Sequence, residues 1–583
     1  MGDRTGKNAS ETAQLIWDVA NSLFGPFKPH EYGLVILPMC VIKRFHDCLK
    51  DTAEKVRETN VKLGKMDATL KDGFLKQASG YAFYNTSDFD FNKLVSAPNS
   101  IADNFEDYLH GFSSNVEEIL VRMNFADAVA RMKEAGLLYQ VISDFNSKDL
   151  DMSPENIKTE DMGYIFENLI QRFSESYDEE AGSHFTSKDI IEMMTDLLVE
   201  HSSTEKCSVY DMTMGTSQML TCMEARIKKI NPNAIVDTYG QEFNAFTMGI
   251  AAADALIHGG TSDNMRYGDT LSDDKFDGYS FDFVISNPPF GIDWKREAKA
   301  VEDEYKKGAE GRFEAGLPSK SDGQMLFLQN GLAKLKDTGR MAIIQNGSSL
   351  FNGDAGSGPS DIRKHIITHD WLDAIVQMPS DSFYNTNIAT YVWLIDKAKA
   401  ERTPGKVLLI DASACMLARK KSIGKKRADI STKCRELILK AYREYTGGTY
   451  TDVNEAGKEI IVKAKLMDND DFGYRKVTVE TPLKDETGKM VLKKGKPIPD
   501  SSKRDTEIIP LKEKVNDYID REVMPYNKEA WVDDSKEKIG YEIPFTRTFY
   551  EYVPLEDSDI IAARIEEHEK NLMSKLHKIF AEG

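Results

Sequence analysis

The chain has 583 residues, 41% of them hydrophobic, which is enough for more than one domain with a sizeable core. Its 95 acidic and 75 basic side chains leave a net charge of −20, which disfavours tight contact with DNA unless basic residues gather on one face or a partner carries them. With no long apolar run, no signal-peptide core and six scattered cysteines without a Cys-x-x-Cys pair, the sequence predicts a cytoplasmic protein lacking a membrane span, zinc site or disulfide framework.

The first region of the chain has the periodicity of amphipathic helices. Between Ser10 and Gly136 apolar residues recur three or four positions apart, as they do from Ala13 to Leu23, and strand signals are few. We therefore predict a helical N-terminal domain over residues 1–149.

Strand and helix patterns alternate from residue 150 to residue 480, as expected for a doubly wound parallel sheet. Apolar runs at residues 207–211 and 234–239 predict two strands, and the turn over residues 212–218 leads from the first of them into a helix. A glycine in that turn, Gly215, allows the backbone to approach a ligand closely. We predict that this region is a catalytic domain whose ligands bind at the carboxyl ends of the strands.

Two carboxylates occupy positions suited to an adenosine-containing cofactor. Glu242 follows the second strand, where it can accept hydrogen bonds from a ribose diol, and Asp269 follows the helix predicted over residues 244–258, where it can accept from the adenine amino group. A single acidic residue after a strand is more often a solvated loop carboxylate. The order of the segments, rather than either residue alone, carries the prediction.

The tetrapeptide Asn287-Pro288-Pro289-Phe290 follows the buried strand predicted over residues 281–286 and predicts methylation of an exocyclic amine. Such an amine is a poor nucleophile, so a catalyst must accept hydrogen bonds from it. The Asn287 side-chain oxygen and the Pro288 carbonyl are two candidate acceptors, and Phe290 offers a face for a flipped-out base. Alternatively, the tetrapeptide is an ordinary proline-rich loop turn.

Two charged segments downstream leave alternatives open. Residues 294–322 interrupt the alternation of strand and helix patterns. They form either a mobile lid that orders on DNA or a plain surface insertion. The basic run over residues 419–427 either contacts phosphates or is a solvated surface loop.

Beyond residue 481 the chain is polar and rich in lysine up to Lys503, and then resumes a helical pattern. Apolar residues at helical spacing between Ile560 and Leu576 predict a terminal amphipathic helix, which either folds back on the core or docks on a partner. We assign residues 481–583 to a C-terminal extension with a partner-docking helix.

These segments resemble the class I, S-adenosylmethionine-dependent N6-adenine DNA methyltransferases, and among them the modification subunit of type I restriction-modification systems. The likeness covers nearly the whole chain and includes segments far from the Asn-Pro-Pro-Phe, such as residues 11–17, 32–44, 471–475 and 540–545. It implies a class I methyltransferase fold, a doubly wound α/β sheet with a helical N-terminal domain and a helical C-terminal tail. It also implies a site-specific adenine-N6 DNA methyltransferase.

The resemblance assigns Asn287, Pro288, Pro289 and Phe290 to catalysis at the target base and implies no metal. The chain departs from the family pattern where Met212 replaces a proline, where Ser217-Gln218 replace two glycines, and where Ser187 follows Phe185-Thr186 in place of a proline. The residues that the resemblance assigns to the S-adenosylmethionine site are His184, Phe185, Thr186, Ser187, Asp211, Gly215, Thr216, Ser217, Gln218, Glu242 and Asp269.

The family also implies partners, namely double-stranded DNA, a DNA-recognition (specificity) subunit, a second copy of this chain and a restriction or translocase subunit. In agreement, the sequence contains neither a separate target-recognition domain nor the Gly-x-x-x-x-Gly-Lys-[Ser/Thr] of a translocating ATPase. Two alternatives stay open. Asn-Pro-Pro before an aromatic also occurs in methyltransferases of RNA guanine and of protein glutamine, and the altered turn after residue 211 would also fit a non-catalytic methyltransferase-like scaffold.

Overall fold

The computed structural model describes residues 5–28, 31–158, 186–202, 204–257, 262–383, 386–423, 425–552 and 555–581, with residues 161–162, 165–166, 168–169 and 172. His184 and Phe185 therefore lie outside the described residues. Two compact units are distinguished, Met1–Ile543 and Pro544–Gly583. The domain boundaries near residues 150 and 480 stay predictions. No helix among the described residues is long and apolar enough to cross a membrane.

Helices make up the N-terminal part of the larger unit, as the periodicity predicts. Their apolar faces form one core whose fully buried members include Ile16, Phe45 and Phe105. The helices are α1 (Thr5–Asp18), α2 (Tyr32–Leu49), α3 (Ala53–Leu63), α4 (Ala68–Ser79), α5 (Phe91–Ser96), α6 (Ile101–His110), α7 (Ser114–Arg122), α8 (Phe125–Glu134) and α9 (Leu138–Phe145).

A ten-stranded sheet forms the centre of the same unit, in the strand order 3-2-1-4-5-7-6-8-12-11. Strands β9 (Leu417–Ile423) and β10 (Lys426–Asp429) form a separate hairpin. The strands up to this point are β1 (Lys206–Asp211), β2 (Ile235–Glu242), β3 (Met265–Tyr267), β4 (Phe281–Ser286), β5 (Leu335–Asn346), β6 (Leu372–Gln377), β7 (Thr390–Asp396), β8 (Lys406–Asp411), β9 (Leu417–Ile423), β10 (Lys426–Asp429), β11 (Gly448–Val453) and β12 (Glu459–Asp468).

Within the sheet β1 pairs in parallel with both β2 and β4, whereas β7 is antiparallel to its neighbours β5 and β6. Strands β2 and β3 lie on one side of β1, whereas β4 and the later strands of the sheet lie on its other side. A crevice opens at the carboxyl ends of the strands where the strand order reverses in this way. The predicted class I methyltransferase fold is confirmed. β2 extends to Glu242 instead of ending near Tyr239, because Gly240 to Glu242 pair with β3, a partner that local periodicity does not reveal.

Helices pack against the sheet, and its central strands β4, β6 and β7 are buried along most of their length. Gly249 lies so close to the N-terminal helices that an added Cβ would be 2.7 Å from Met123 Cγ, so the helix that carries it shares the N-terminal core. These helices are α10 (Lys188–Val199), α11 (Gln218–Ile230), α12 (Ala245–Ile257), α13 (Ala298–Tyr305), α14 (Gln324–Ala333), α15 (Ser348–Phe351), α16 (Gly358–Thr368) and α17 (Thr432–Glu444).

The segment at residues 294–322 is held against the body by buried side chains. Trp294 and Phe313 are fully buried. The Arg312 guanidinium donates to the Glu304 carboxylate at 2.7 and 2.6 Å and to the Thr270 carbonyl oxygen at 2.6 Å. These contacts tie the segment to the loop after β3, which agrees with the surface-insertion alternative.

Beyond the main sheet the chain forms a second, four-stranded antiparallel sheet, where the sequence pattern after Lys503 predicts helix. That prediction is wrong for most of residues 505–541, because these short segments pair with β13 (Gly473–Glu480), a strand 25 or more residues earlier in the sequence. Val477 and Ile509 are buried in its core. The elements are β13 (Gly473–Glu480), β14 (Leu492–Lys493), β15 (Lys496–Pro497), β16 (Asp505–Pro510), α18 (Val515–Glu522), β17 (Trp531–Val532) and β18 (Lys538–Tyr541), with β14 and β15 in a small hairpin of their own.

The second unit consists of α19 (Phe545–Phe549) and the 24-residue helix α20 (Ser558–Ala581). The helical C-terminal tail is thereby confirmed. The apolar side chains of α20 with a described exposure are all exposed, at 43–61% for Ile560, Ile561, Ile565, Leu572 and Met573.

Candidate active site

A cavity of about 260 Å³ lies at the carboxyl ends of β1, β2 and β4. It brings together residues that the sequence places on separate segments between positions 186 and 289. The predicted site residues that line it are Thr186, Asp211, Gly215, Thr216, Gln218, Glu242, Asp269, Asn287 and Pro289.

Four predicted site residues are not part of the cavity wall. Ser187 and Ser217 precede α10 and α11 as their N-cap residues, and Pro288 is buried. Phe290 is half-buried and packs against the core of the sheet. Its predicted stacking on a base stays a prediction.

The turn after β1 reaches the cavity through two left-handed residues. Gly215 has a φ of 56° and Ser217 a φ of 64°. Left-handed backbone costs a residue with a Cβ about 1–2 kcal/mol, so serine is tolerated at this position with strain that glycine would not have. The Ser217 backbone N–H donates to the Met214 carbonyl oxygen at 2.8 Å and closes the turn, instead of being available to a ligand.

Glu242 joins the loops that follow β1 and β2. Its carboxylate accepts from the backbone N–H of Gly215 at 3.0 Å and from that of Asn244 at 2.8 Å, and burial raises its pKa. Asp269 is half-buried, and its Oδ1 accepts from the backbone N–H groups of Leu271 and Ser272. Both carboxylates are thus fixed by backbone donors while they face the cavity.

Asp211 at the end of β1 is 1% exposed, and only one of its carboxylate oxygens is satisfied. Oδ1 accepts from the Ser286 hydroxyl at 2.6 Å and from the Thr213 backbone N–H at 3.0 Å, whereas Oδ2 is buried and accepts no hydrogen bond from any described residue. Burial raises the pKa of the Asp211 carboxyl to about 7, and the nearby Glu242 charge acts in the same direction.

The ligand-free chain is expected to lose the contribution of Asp211 to its stability as the pH rises from about 4, the ordinary pKa of an aspartate carboxyl, to about 7, its pKa in the folded chain. A carboxyl with a higher pKa in the folded than in the unfolded chain stabilises the fold while protonated, and this contribution is gone above the folded pKa. Asp211→Asn has the same shape but cannot ionise. Its unfolding midpoint, measured by scanning calorimetry, should therefore rise relative to wild type with increasing pH. Parallel curves for the two proteins would contradict the shifted pKa.

Asn287 begins the loop after β4, and its amide is oriented by a single hydrogen bond. Nδ2 donates to the Thr186 hydroxyl at 2.9 Å. The other amide atom, Oδ1, is buried and accepts no hydrogen bond from any described residue. An unsatisfied buried acceptor costs roughly 1–3 kcal/mol, so a ligand donor that reaches Asn287 Oδ1 gains a preorganised partner.

Sequence reasoning missed several residues of the cavity wall. Phe243 directly follows Glu242 and is 57% exposed, an aromatic face offered to a planar ligand. Its position after the predicted ribose carboxylate is the signal that could have found it. Asp293, Arg296 and Glu297 contribute charged groups from the segment after β4, and no local pattern marks them.

Two family models match the chain. The model described as N-6 DNA Methylase matches residues 157–475, and the model described as HsdM N-terminal domain matches residues 12–145. Together they cover the helical N-terminal region and the sheet that carries the cavity.

The similar proteins agree with these matches. The type I restriction enzyme MjaIX methylase subunit of Methanocaldococcus jannaschii is 22% identical over 464 residues, which are 77% of this chain and 80% of that protein. The HindI methylase subunit of Haemophilus influenzae is 28% identical over 271 residues, 46% of this chain and 57% of that protein. The type I restriction-modification methyltransferase subunit from Streptococcus thermophilus has a similar fold, with a TM-score of 0.61, 22% identity, and 79% of this chain and 96% of that chain covered.

Proposed function

The chain belongs to the N-6 DNA methylase family, and on this basis we propose that it is the methyl-transferring subunit of a type I restriction-modification complex. The activity is site-specific methylation of adenine N6 in DNA, with S-adenosylmethionine as the cofactor. One observation gives the strongest support to methyl transfer at this site. The buried Asn287 Oδ1, at the carboxyl end of β4, is an acceptor without a partner among the described residues.

The proposed role of the loop after β4 is to orient an exocyclic amine for methyl transfer. The adenine is flipped out of the duplex, and its N6 hydrogens donate to Asn287 Oδ1 and to a second acceptor. The Pro288 carbonyl oxygen stays the predicted second acceptor, although Pro288 is buried and outside the cavity wall. This arrangement directs the nitrogen lone pair away from the two acceptors and towards the methyl donor. As N6 attacks it gains positive charge, and its proton becomes acidic enough to pass to water, so no dedicated general base is required. Thr186 acts as a positioning residue, because its hydroxyl fixes which way the Asn287 amide points.

S-adenosylmethionine, when bound, supplies an electrophilic methyl group on a sulfonium centre. The residues of the cavity fit this molecule, since Asp211 Oδ2 is a buried acceptor without a partner among the described residues and suits an ammonium group. Glu242 suits the ribose hydroxyls, Asp269 the adenine amino group and Phe243 the adenine face. Gly215, Thr216 and Gln218 form the adjoining wall, while Ser187 and Ser217 hold the turns in place from outside it.

The alternatives are less well supported. The N-6 DNA methylase match argues against methyl transfer to RNA or to protein glutamine. A non-catalytic scaffold would need neither the unsatisfied Asn287 Oδ1 nor the carboxylates that converge on the same cavity.

The partners proposed for the complex are double-stranded DNA, a DNA-recognition subunit, a second copy of this chain and a restriction subunit. Supporting this are the relatives, which are methylase subunits of type I restriction enzymes, and the exposed apolar side chains of α20. A cytoplasmic location stays a prediction.

Single-molecule sequencing of DNA from cells that express this chain with its neighbouring genes tests the proposed function. We expect N6-methyladenine at one fixed position of a single sequence motif. Cells that carry the same genes without this chain are the control. Unmodified DNA, or modification of a base other than adenine, would overturn the proposal.

A further inference from the structure

The hairpin of β9 and β10 leaves the sheet at the same end as the cavity, namely at the carboxyl ends of the parallel strands. It follows β8, whose carboxyl end lies beside that of β6. Lys426 Nζ bonds to the Asp189 carboxylate at 3.0 Å and to the Ser382 carbonyl oxygen at 3.0 Å, while the backbone N–H groups of Arg427 and Ala428 donate to the Asp381 carbonyl oxygen. The base of the hairpin is therefore fixed to the loop after β6 and to the start of α10.

The start of α10 also orients the catalytic loop. Asp189, which receives Lys426, lies three residues after Thr186, whose hydroxyl holds the Asn287 amide at 2.9 Å. The Ile430 backbone N–H donates to Asp189 as well, at 2.7 Å, so both ends of β10 are anchored near this point. The hairpin consequently stands next to the loop that receives the target base.

The structure divides the cations of the basic run into two sets. Arg419 pairs with Asp429 at 2.6 and 2.9 Å, and Lys426, which is 1% exposed, pairs with Asp189. These two are structural. The other cations are exposed and make no ion pair or side-chain hydrogen bond with any described residue, and we name them the basic face: Lys420, Lys421, Lys425 and Arg427.

We propose that the basic face binds the sugar-phosphate backbone of the DNA duplex beside the flipped adenine. This inference rests on the proposed function, because a base bound in the cavity brings its flanking phosphates to the same end of the sheet. Carboxylates dominate the cavity wall and the chain carries a net charge of −20, so a phosphate backbone is repelled unless uncompensated cations stand next to the cavity. The basic face supplies such cations, and it resolves the two alternatives for the basic run into a hairpin with both a structural and a binding part.

The test compares two variants with equal loss of charge, each in the assembled complex with its recognition subunit. K420Q/K421Q/K425Q removes three lysines of the basic face. K493Q/K494Q/K496Q removes three exposed lysines from the β14–β15 hairpin, which likewise have no ion pair with a described residue. The substrate is an unmethylated duplex that contains the recognised motif. The measurements are kcat and KM for this duplex at salt concentrations from about 50 to about 200 mM, and the cofactor Kd by calorimetry.

For the basic-face variant we expect KM for DNA to rise about tenfold or more, with kcat at saturating DNA and the cofactor Kd nearly unchanged. Each lost phosphate contact should also lower the slope of log KM against log salt by about 0.9. The control variant should behave like wild type. Equal effects of the two variants, or an unchanged KM in both, would overturn the proposal. Absence of methylation and of DNA binding in the wild-type complex would instead show that the proposed function fails, and the inference with it.

Discussion

Asn287→Ala is expected to abolish methyl transfer while S-adenosylmethionine still binds. The substitution removes Asn287 Oδ1, a buried acceptor in the cavity wall without a partner among the described residues, which is proposed to receive the target amine. Loss of a single preorganised hydrogen-bonding group from an active site lowers kcat by roughly 10²–10³. The residues proposed to hold the cofactor lie chiefly on other loops, so its Kd should change by less than about threefold, which is below 1 kcal/mol. Single-turnover transfer of a labelled methyl group and calorimetry measure the two quantities.

Two further variants separate the role of the acceptor from that of its orientation. Asn287→Asp keeps an oxygen at the position of Oδ1, and Thr186 can donate its hydroxyl to the other oxygen, so part of the activity should be retained. Thr186→Val removes the hydroxyl that accepts from Asn287 Nδ2, which frees the amide to turn, and an intermediate loss in kcat is expected. Transfer by Asn287→Ala at the wild-type rate would show that Asn287 does not receive the amine.

Removal of all residues after Asp557 is expected to leave a folded chain that binds the cofactor but does not join its complex. The deletion takes away α20, whose apolar side chains Ile560, Ile561, Ile565, Leu572 and Met573 are exposed. Exposed apolar positions at helical spacing are typical of a helix that docks on a partner. Because the net charge of −20 opposes DNA binding by the chain alone, site-specific DNA methylation should vanish together with assembly.

Co-purification with a tagged recognition subunit measures assembly, and two double variants test which face of α20 docks. Ile565→Glu with Leu572→Glu places charges on the apolar face and should release the chain from the complex. The matched control is Glu567→Gln with Lys570→Gln, which changes the opposite face of the helix and should leave assembly intact. Full recovery of the truncated chain with its partner would rule out docking through α20. Site-specific methylation by the isolated chain would show that it does not need a separate recognition subunit.

Several features of this protein are determined by local sequence. The apolar run at residues 281–286 predicts β4 with its observed bounds, because a parallel strand covered on both faces consists almost entirely of apolar residues. The periodicity of the N-terminal region and of α20 likewise predicts helices, since one apolar stripe must face a core or a partner. The Asn-Pro-Pro-Phe, together with the resemblance, predicts the methyltransferase family.

Other features depend on contacts between distant segments. The pairing of Thr186 with Asn287 joins residues 101 positions apart, and the raised pKa of Asp211 follows from burial that only the assembled sheet provides. The strands over residues 505–541 form because they pair with β13, and this pairing outweighs their local preference for helix. In the basic run, the positions of Asp189 and Asp429 decide which cations are structural and which remain exposed. Local sequence thus determined the N-terminal helices, β4 and the loop that follows it, whereas burial and long-range pairing decided the second sheet and the charge, orientation and accessibility of the groups around that loop.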